Sequence, residues 1–205
     1  MQSRTLLISL AAIAVGALVA LLIFGQQLTG PLSRSGPIVT GKALVGGPFS
    51  LLDHHGRRVS EKDFAGRYML VYFGYTYCPD VCPAELQVMS EGLRLLGDKQ
   101  AREITPIFIT IDPKRDDVTQ MASYVANFHP RLVGLTGTEA EITKAAKAYR
   151  VYFAKVTGDG ADDDAYTMDH TSIIYLMDRD GAYLAHFPHG TSAPKMAERL
   201  AKLIR

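Results

Sequence analysis

The sequence predicts an α/β domain with a mixed sheet, carried behind one N-terminal transmembrane helix. Three observations point there. Two apolar runs of strand length, residues 68–74 and 104–111, flank an amphipathic stretch of helix length. Two further short apolar runs, 172–177 and 183–187, flank the turn Asp178-Arg179-Asp180-Gly181. The chain also opens on an uncharged stretch, residues 5–24. Strand–helix–strand order makes parallel neighbours, whereas a tight hairpin is antiparallel, so both kinds of pairing are expected in one sheet.

At roughly 1.5 Å per helical residue, residues 5–24 are long enough to cross a bilayer core of about 30 Å. Only Arg4 and the α-amino group precede them, so residues 1–4 are expected on the cytoplasmic side, 5–25 in the membrane and the rest exported. A cleaved signal peptide would have a shorter apolar core and a small-x-small cleavage site; here the run continues through Leu21-Leu22-Ile23-Phe24 into Gly25-Gln26. No Arg- and Ser-rich transit sequence precedes it, which favours a bacterial envelope, with the chain single-pass in the inner membrane and its C-terminal domain in the periplasm. Residues 26–47, rich in Gly, Pro, Ser and Thr, read as a flexible linker, and 48–205 as one domain without internal repeats.

Within that domain, residues 49–52 and 57–60 flank the turn Asp53-His54-His55-Gly56 and form two short strands. Residues 68–74, β-branched and aromatic, read as a strand buried on both faces. Pro83 fits the first position of a helix, where its missing N–H costs nothing, which makes Cys82 the expected cap and puts Glu85 in the first turn. Leu86, Met89, Leu93 and Leu96 continue it at helical spacing, and Gly97 ends it. A second buried strand, 104–111, stops at Asp112-Pro113. Asp117 with Gln120 opens a helix to about Phe128; 132–135 is a strand, 138–150 a helix, 152–156 a strand and 157–165 a polar loop. The hairpin follows, and 193–205 closes the domain as a helix.

Of 205 residues, 47% are hydrophobic, and 22 basic against 21 acidic residues leave a formal net charge of +1. The basic residues are scattered, so no stripe for a nucleic-acid backbone exists and nucleic acid is excluded as a partner.

The chain has two cysteines, in Tyr77-Cys78-Pro79-Asp80-Val81-Cys82-Pro83. A pair this close, between a buried strand and a helix start, is a disulfide, a redox dithiol or a soft-metal site. As a helix cap, Cys82 would face unpaired backbone N–H groups and the positive end of the dipole, both of which lower a thiol pKa. Asp80, between the two, works the other way while favouring a bound cation. Among six histidines, His170 stands out because it immediately precedes the strand 172–177, whose frame can aim it. His54, His55, His129, His186 and His189 read as surface or turn residues. Two thiolates and an imidazole would suit Cu(I), or Cu(II) with an added oxygen; structural zinc wants four protein ligands.

Five blocks in order carry a family resemblance: Gly46-Gly47-Pro48-Phe49-Ser50-Leu51, Tyr72-Phe73-Gly74-Tyr75-Thr76-Tyr77 with the cysteine motif, Asp112-Pro113-Lys114-Arg115-Asp116, Leu132-Val133-Gly134-Leu135-Thr136-Gly137, and Asp169-His170-Thr171. Over residues 44–204 the chain resembles the Sco/SenC copper chaperones of cytochrome oxidase assembly. The resemblance implies a thioredoxin-like fold and copper held by Cys78, Cys82 and His170. It also implies delivery to the cytochrome c oxidase subunit that carries the Cu(A) centre, reduction of that centre's cysteines, or both. Other copper-donating proteins would load it. Asp112 and Asp116 match the family blocks as well and read either as turn residues or as partner-docking groups; Asp162-Asp163-Asp164 reads as a solvated loop. Two rival functions remain open: a thiol–disulfide oxidoreductase with no metal in its cycle, and a peroxiredoxin-like peroxidase, for which Thr76 near Cys78 speaks.

Overall fold

The computed structural model describes residues 45–157 and 166–204. Its elements are β1 (Ser50–Asp53), β2 (Arg58–Ser60), β3 (Tyr68–Gly74), α1 (Val81–Leu96), α2 (Asp98–Ala101), β4 (Ile104–Thr110), α3 (Val118–Val125), β5 (Val133–Thr136), α4 (Glu139–Ala148), β6 (Phe153–Thr157), β7 (Tyr166–His170), β8 (Ile173–Met177), β9 (Tyr183–Pro188) and α5 (Ala193–Leu203). A 3-10 turn, Glu61–Phe64, follows β2. The cytoplasmic start at 1–4, the anchor at 5–25, most of the linker and Asp162-Asp163-Asp164 lie outside the described residues. Among the described residues no helix is long and apolar enough to cross a membrane.

Seven strands form one mixed sheet in the order β2-β1-β5-β4-β3-β8-β9, with β6 and β7 as a separate antiparallel pair. β3 and β4 are buried at all seven positions each and run parallel, Tyr68 opposite Ile104 through Gly74 opposite Thr110. Burial on both faces explains why neither run alternates with polar residues. β8 pairs antiparallel with the other edge of β3, and β9 with β8. Alternation along β3 sends successive side chains to opposite faces. Tyr72 stacks on Phe108, which meets Tyr124 of α3, while Phe73 meets Tyr149 at the end of α4. Each such large side chain contributes about 1.5–3 kcal/mol by leaving water. α1 packs against α5 so closely that a Cβ on Gly92 would lie 3.1 Å from the Met196 sulfur.

Several boundaries differ from expectation. α1 starts at Val81 with Asp80 as its cap, so Cys82 is the second helical residue; Pro83, the third, still sits among the first four N–H positions, where no intrahelical bond is lost. α3 does carry the Asp117 cap, whose carboxylate accepts from the Gln120 N–H at 2.8 Å, but the helix ends at Val125. α4 opens with a Thr138/Glu141 capping box. All but the first residue of the loop expected at 157–165 lies outside the described residues, and β7 occupies residues 166–170, where no element was expected. Its alternately half-buried and exposed Thr, Asp and His residues conceal a strand that pairs from Phe153↔His170 to Thr157↔Tyr166. The last residues of the expected linker are packed on the domain: Val45 touches the core and the Gly46 N–H donates to the Ala148 carbonyl at 2.9 Å.

Candidate metal centre

The parallel strand β3 ends at Gly74, and the chain leaves it through Tyr75-Thr76-Tyr77 to reach Cys78 and then α1. Cys82, in the first turn of α1, is fully buried against that strand end. A Cβ at Gly74 would sit 2.8 Å from Cys82 Sγ and 3.0 Å from the Phe108 ring, so only glycine lets the sulfur lie this close to the sheet. Cys78, half-buried on the loop, accepts the Cys82 backbone N–H at 3.3 Å. Both cysteines are free thiols.

Their acidities are the reverse of the sequence expectation. Cys78 is held well below the usual thiol range by hydrogen bonding to the Cys82 side chain, against the effect of burial, with His170 and the backbone N–H groups of Cys82 and Asp80 assisting. Cys82 is pushed up by the charge-bearing Cys78 beside it and by its own burial. The Cys82 side chain first, and the N–H groups at the helix start second, thus favour charge on the sulfur outside the helix. Cys82, one residue inside it, is the sulfur left in an apolar setting.

His170, at the end of β7, completes the group. Its Nδ1 lies 3.1 Å from the Thr171 carbonyl oxygen, which can only accept, so Nδ1 carries the proton. In the neutral imidazole Nε2 then keeps its lone pair, and in the protonated ring it donates to a thiolate; it faces Cys82 Sγ at 3.4 Å. The rings of Tyr72 and Tyr75 stand nearly edge-on to the imidazole, with centroids 6.2 and 6.1 Å away. Cys78, Asp80, Tyr75, His170 and His189 line one open cleft of about 510 Å³. The three expected donors thus converge, but as a loose triad. Among the described residues no three His, Cys, Asp or Glu side chains are already closed around a metal-sized space.

Asp112 and Asp116 do not form a docking surface. They are 4% and 0% exposed, and each holds one half of the site. Asp116 accepts from Thr76 N–H at 2.9 Å, Thr76 Oγ1 at 2.6 Å and Thr110 Oγ1 at 2.6 Å, bracing the loop that presents Cys78. The Thr76 hydroxyl is thereby turned to Asp116, which removes the feature that spoke for a peroxidase. Asp112 accepts from Arg115 Nε at 2.6 Å and from the Tyr166 hydroxyl at 2.8 Å. Arg115 also donates to the Tyr166 carbonyl and lies 3.6 Å from its ring centroid. One turn, residues 112–116, therefore clasps both the sulfur loop and the first residue of the imidazole strand.

Two histidines read as surface residues do more than that. His54 Nδ1 accepts the Gly134 N–H at 3.1 Å, stitching the first hairpin to β5. His189 donates from Nδ1 to Glu85, a carboxylate 3% exposed on the cysteine helix. The signal that could have found this pair is Glu85 itself, an acid three residues after Cys82 and so on the same buried helix face.

The family model described as SCO1/SenC matches residues 39–205. The chain belongs to the SCO1/SenC family. It is 44% identical over 166 residues to the protein named SCO1 homolog, mitochondrial, of Homo sapiens, covering 80% of this chain and 54% of that relative. It therefore spans little more than half of the human relative's length. To the SCO2-like protein of Rickettsia conorii it is 40% identical over 188 residues, 92% of this chain and 90% of the relative. The solved structure of Bradyrhizobium japonicum ScoI with copper bound superposes with a TM-score of 0.71 at 45% identity, covering 78% of this chain and 99% of that one. This SCO1/SenC domain has the thioredoxin-like fold with a mixed sheet.

Proposed function

We propose that the chain is a copper metallochaperone for cytochrome c oxidase assembly. An N-terminal helix at 5–25 would tether it in the inner membrane, with its domain on the periplasmic side. The observation that carries the reading is the convergence of Cys78, Cys82 and His170, with Cys78 and His170 lining one open cleft and Cys82 buried behind them, in a domain 45% identical to a protein solved with copper bound. Two sulfurs and an imidazole nitrogen with a fixed lone pair are soft, low-coordinate donors of the kind that select Cu(I), and Cu(II) once an oxygen joins. Copper here is cargo. Held by three donors at an open cleft, it can be passed on by ligand exchange, and family membership supports the Cu(A)-bearing oxidase subunit as recipient.

A second activity on the same atoms is supported by the asymmetry of the thiols. Cys78, accessible and acidic, suits attack on a partner disulfide, and Cys82, buried beside it, suits resolution of the mixed disulfide. The partner disulfide gains two electrons and two protons as the Cys78/Cys82 pair loses them. Oxidation removes both sulfur ligands, so copper loading and redox state are coupled.

Copper titration of the reduced chain with metal analysis tests the reading. One copper per chain is expected, lost in Cys78→Ser, Cys82→Ser and His170→Ala, with a thiolate-to-Cu(II) absorption band that disappears in the His170 variant. Stoichiometric binding that survives all three changes overturns it. Disulfide reduction that proceeds at an unchanged rate in His170→Ala separates the second activity from the first.

A further inference from the structure

α1 presents Cys82 and Glu85, three residues apart, to two different histidines. The first rung is Cys82 to His170; the second is Glu85 Oε1 to His189 Nδ1 at 2.7 Å, with the Gly190 N–H on the same oxygen at 3.3 Å. The second rung stands outside the expected donor set, yet His189 lines the same cleft as Cys78 and His170. The sheet explains why. Ile173 pairs with Pro188 at the end of the β8–β9 ladder, so His189 lies one step beyond it, in the turn that lines the cleft with Ser172 and His170.

We propose that His189 is a hand-off ligand, taking the copper ion as a transient donor when it enters or leaves the three-donor site. The inference rests on the copper reading above. A carboxylate only accepts when ionised, so Glu85 requires the proton on His189 Nδ1 and leaves Nε2 with an open lone pair. That carboxylate–imidazole arrangement is the one that orients metal-binding histidines generally. Glu85 is buried, which fixes the anchor, while the His189 side chain is 59% exposed, which leaves its far nitrogen reachable from solvent. Transfer by ligand exchange needs an incoming donor in place before an outgoing one departs, and a tethered imidazole at the mouth of the cleft supplies it. No bond other than those to the metal changes, and the ion keeps its oxidation state.

The experiment follows Cu(I) leaving the reduced, copper-loaded chain for a chromogenic Cu(I) chelator by stopped flow. It compares wild type with His189→Gln, whose amide can still donate to Glu85 and preserve the loop, and with Glu85→Gln. Both variants are expected to bind one copper, and transfer is expected to slow on the order of tenfold, the lower end of what loss of an outer-shell partner does at metal sites. A wild-type rate in His189→Gln overturns the hand-off role, as does a slowing reproduced by loop-loosening Thr191→Ala, which leaves the imidazole in place. A wild-type chain that takes up no copper overturns the copper reading itself, an outcome visible before any variant is made.

Discussion

The two halves of the candidate metal centre are supported very differently. The sulfur half hangs from the central sheet: β3 is buried throughout, Cys82 is sealed against Gly74, and the fully buried Asp116 ties two donors of the loop residue Thr76 to one on β4, Thr110. The imidazole half belongs to β6–β7, a two-stranded sheet outside the main seven, held at its start by the Asp112–Arg115–Tyr166 clasp, with Arg115 17% exposed. A lone hairpin is marginal in water without packing beneath it. The sulfur donors thus share the stability of the whole domain, and the imidazole depends on that clasp together with the half-buried Phe153 and Met168, which pack against the core.

Breaking the stronger half should give the larger effect. Asp116→Ala leaves Thr76 N–H and two hydroxyls without their buried acceptor and is expected to destabilise the domain by about 3 kcal/mol or more, read from urea unfolding of the metal-free chain. A loss under 1 kcal/mol would mean the bracket is dispensable. Arg115→Ala should cost less, about 1–2 kcal/mol, yet lower copper affinity by roughly tenfold because His170 loses its clasp. Equal copper affinity in the two proteins would erase the contrast between the halves.

The pH profile sharpens the comparison. Burial pushes the Asp116 carboxyl up, with Thr110 and Thr76 offsetting part of the shift. Its contribution to stability is therefore full below the unfolded value of about 3.9 and declines as pH rises through the higher folded value. Asp53 is the opposite case: burial would raise it, but the N–H groups of Arg57 and His55 and the Arg57 guanidinium outweigh burial and hold it low. Its contribution is present above about pH 3.9 and is lost as pH falls through the lower folded value. Asp53→Asn should thus cost about 1 kcal/mol at neutral pH, shrinking with acid, while the wild-type advantage over Asp116→Asn grows with acid. Parallel profiles from pH 3 to 7 would refute both assignments. Smallest of all, Val156→Ala on the exposed face of β6 should change stability by less than about 0.5 kcal/mol.

What the sequence made legible follows the same division. Continuous apolar runs located β3 and β4, cap chemistry located α3, and the cysteine spacing located the sulfur half. β7 was hidden because its face is polar and its pairing partner is β6, a relation that no local pattern encodes. The roles of Asp112 and Asp116 were hidden because a carboxylate in a turn looks the same whether it faces solvent or Thr76. The acidity of Cys82 was misread because the helix starts two residues earlier than expected, which is the scale at which boundary assignment from sequence fails, and because its hydrogen bond to Cys78 and its burial are invisible to local pattern.

Gly74 also limits how the centre can move. With no space between the strand and Cys82 Sγ, the sheet acts as an end stop against which that sulfur already rests. Closing on a metal ion, or joining the two sulfurs, therefore asks for travel by the other participants, the Cys78 loop and the His170 strand. In mechanical terms the centre is a vice with one fixed jaw, and its stroke is set from the surface side.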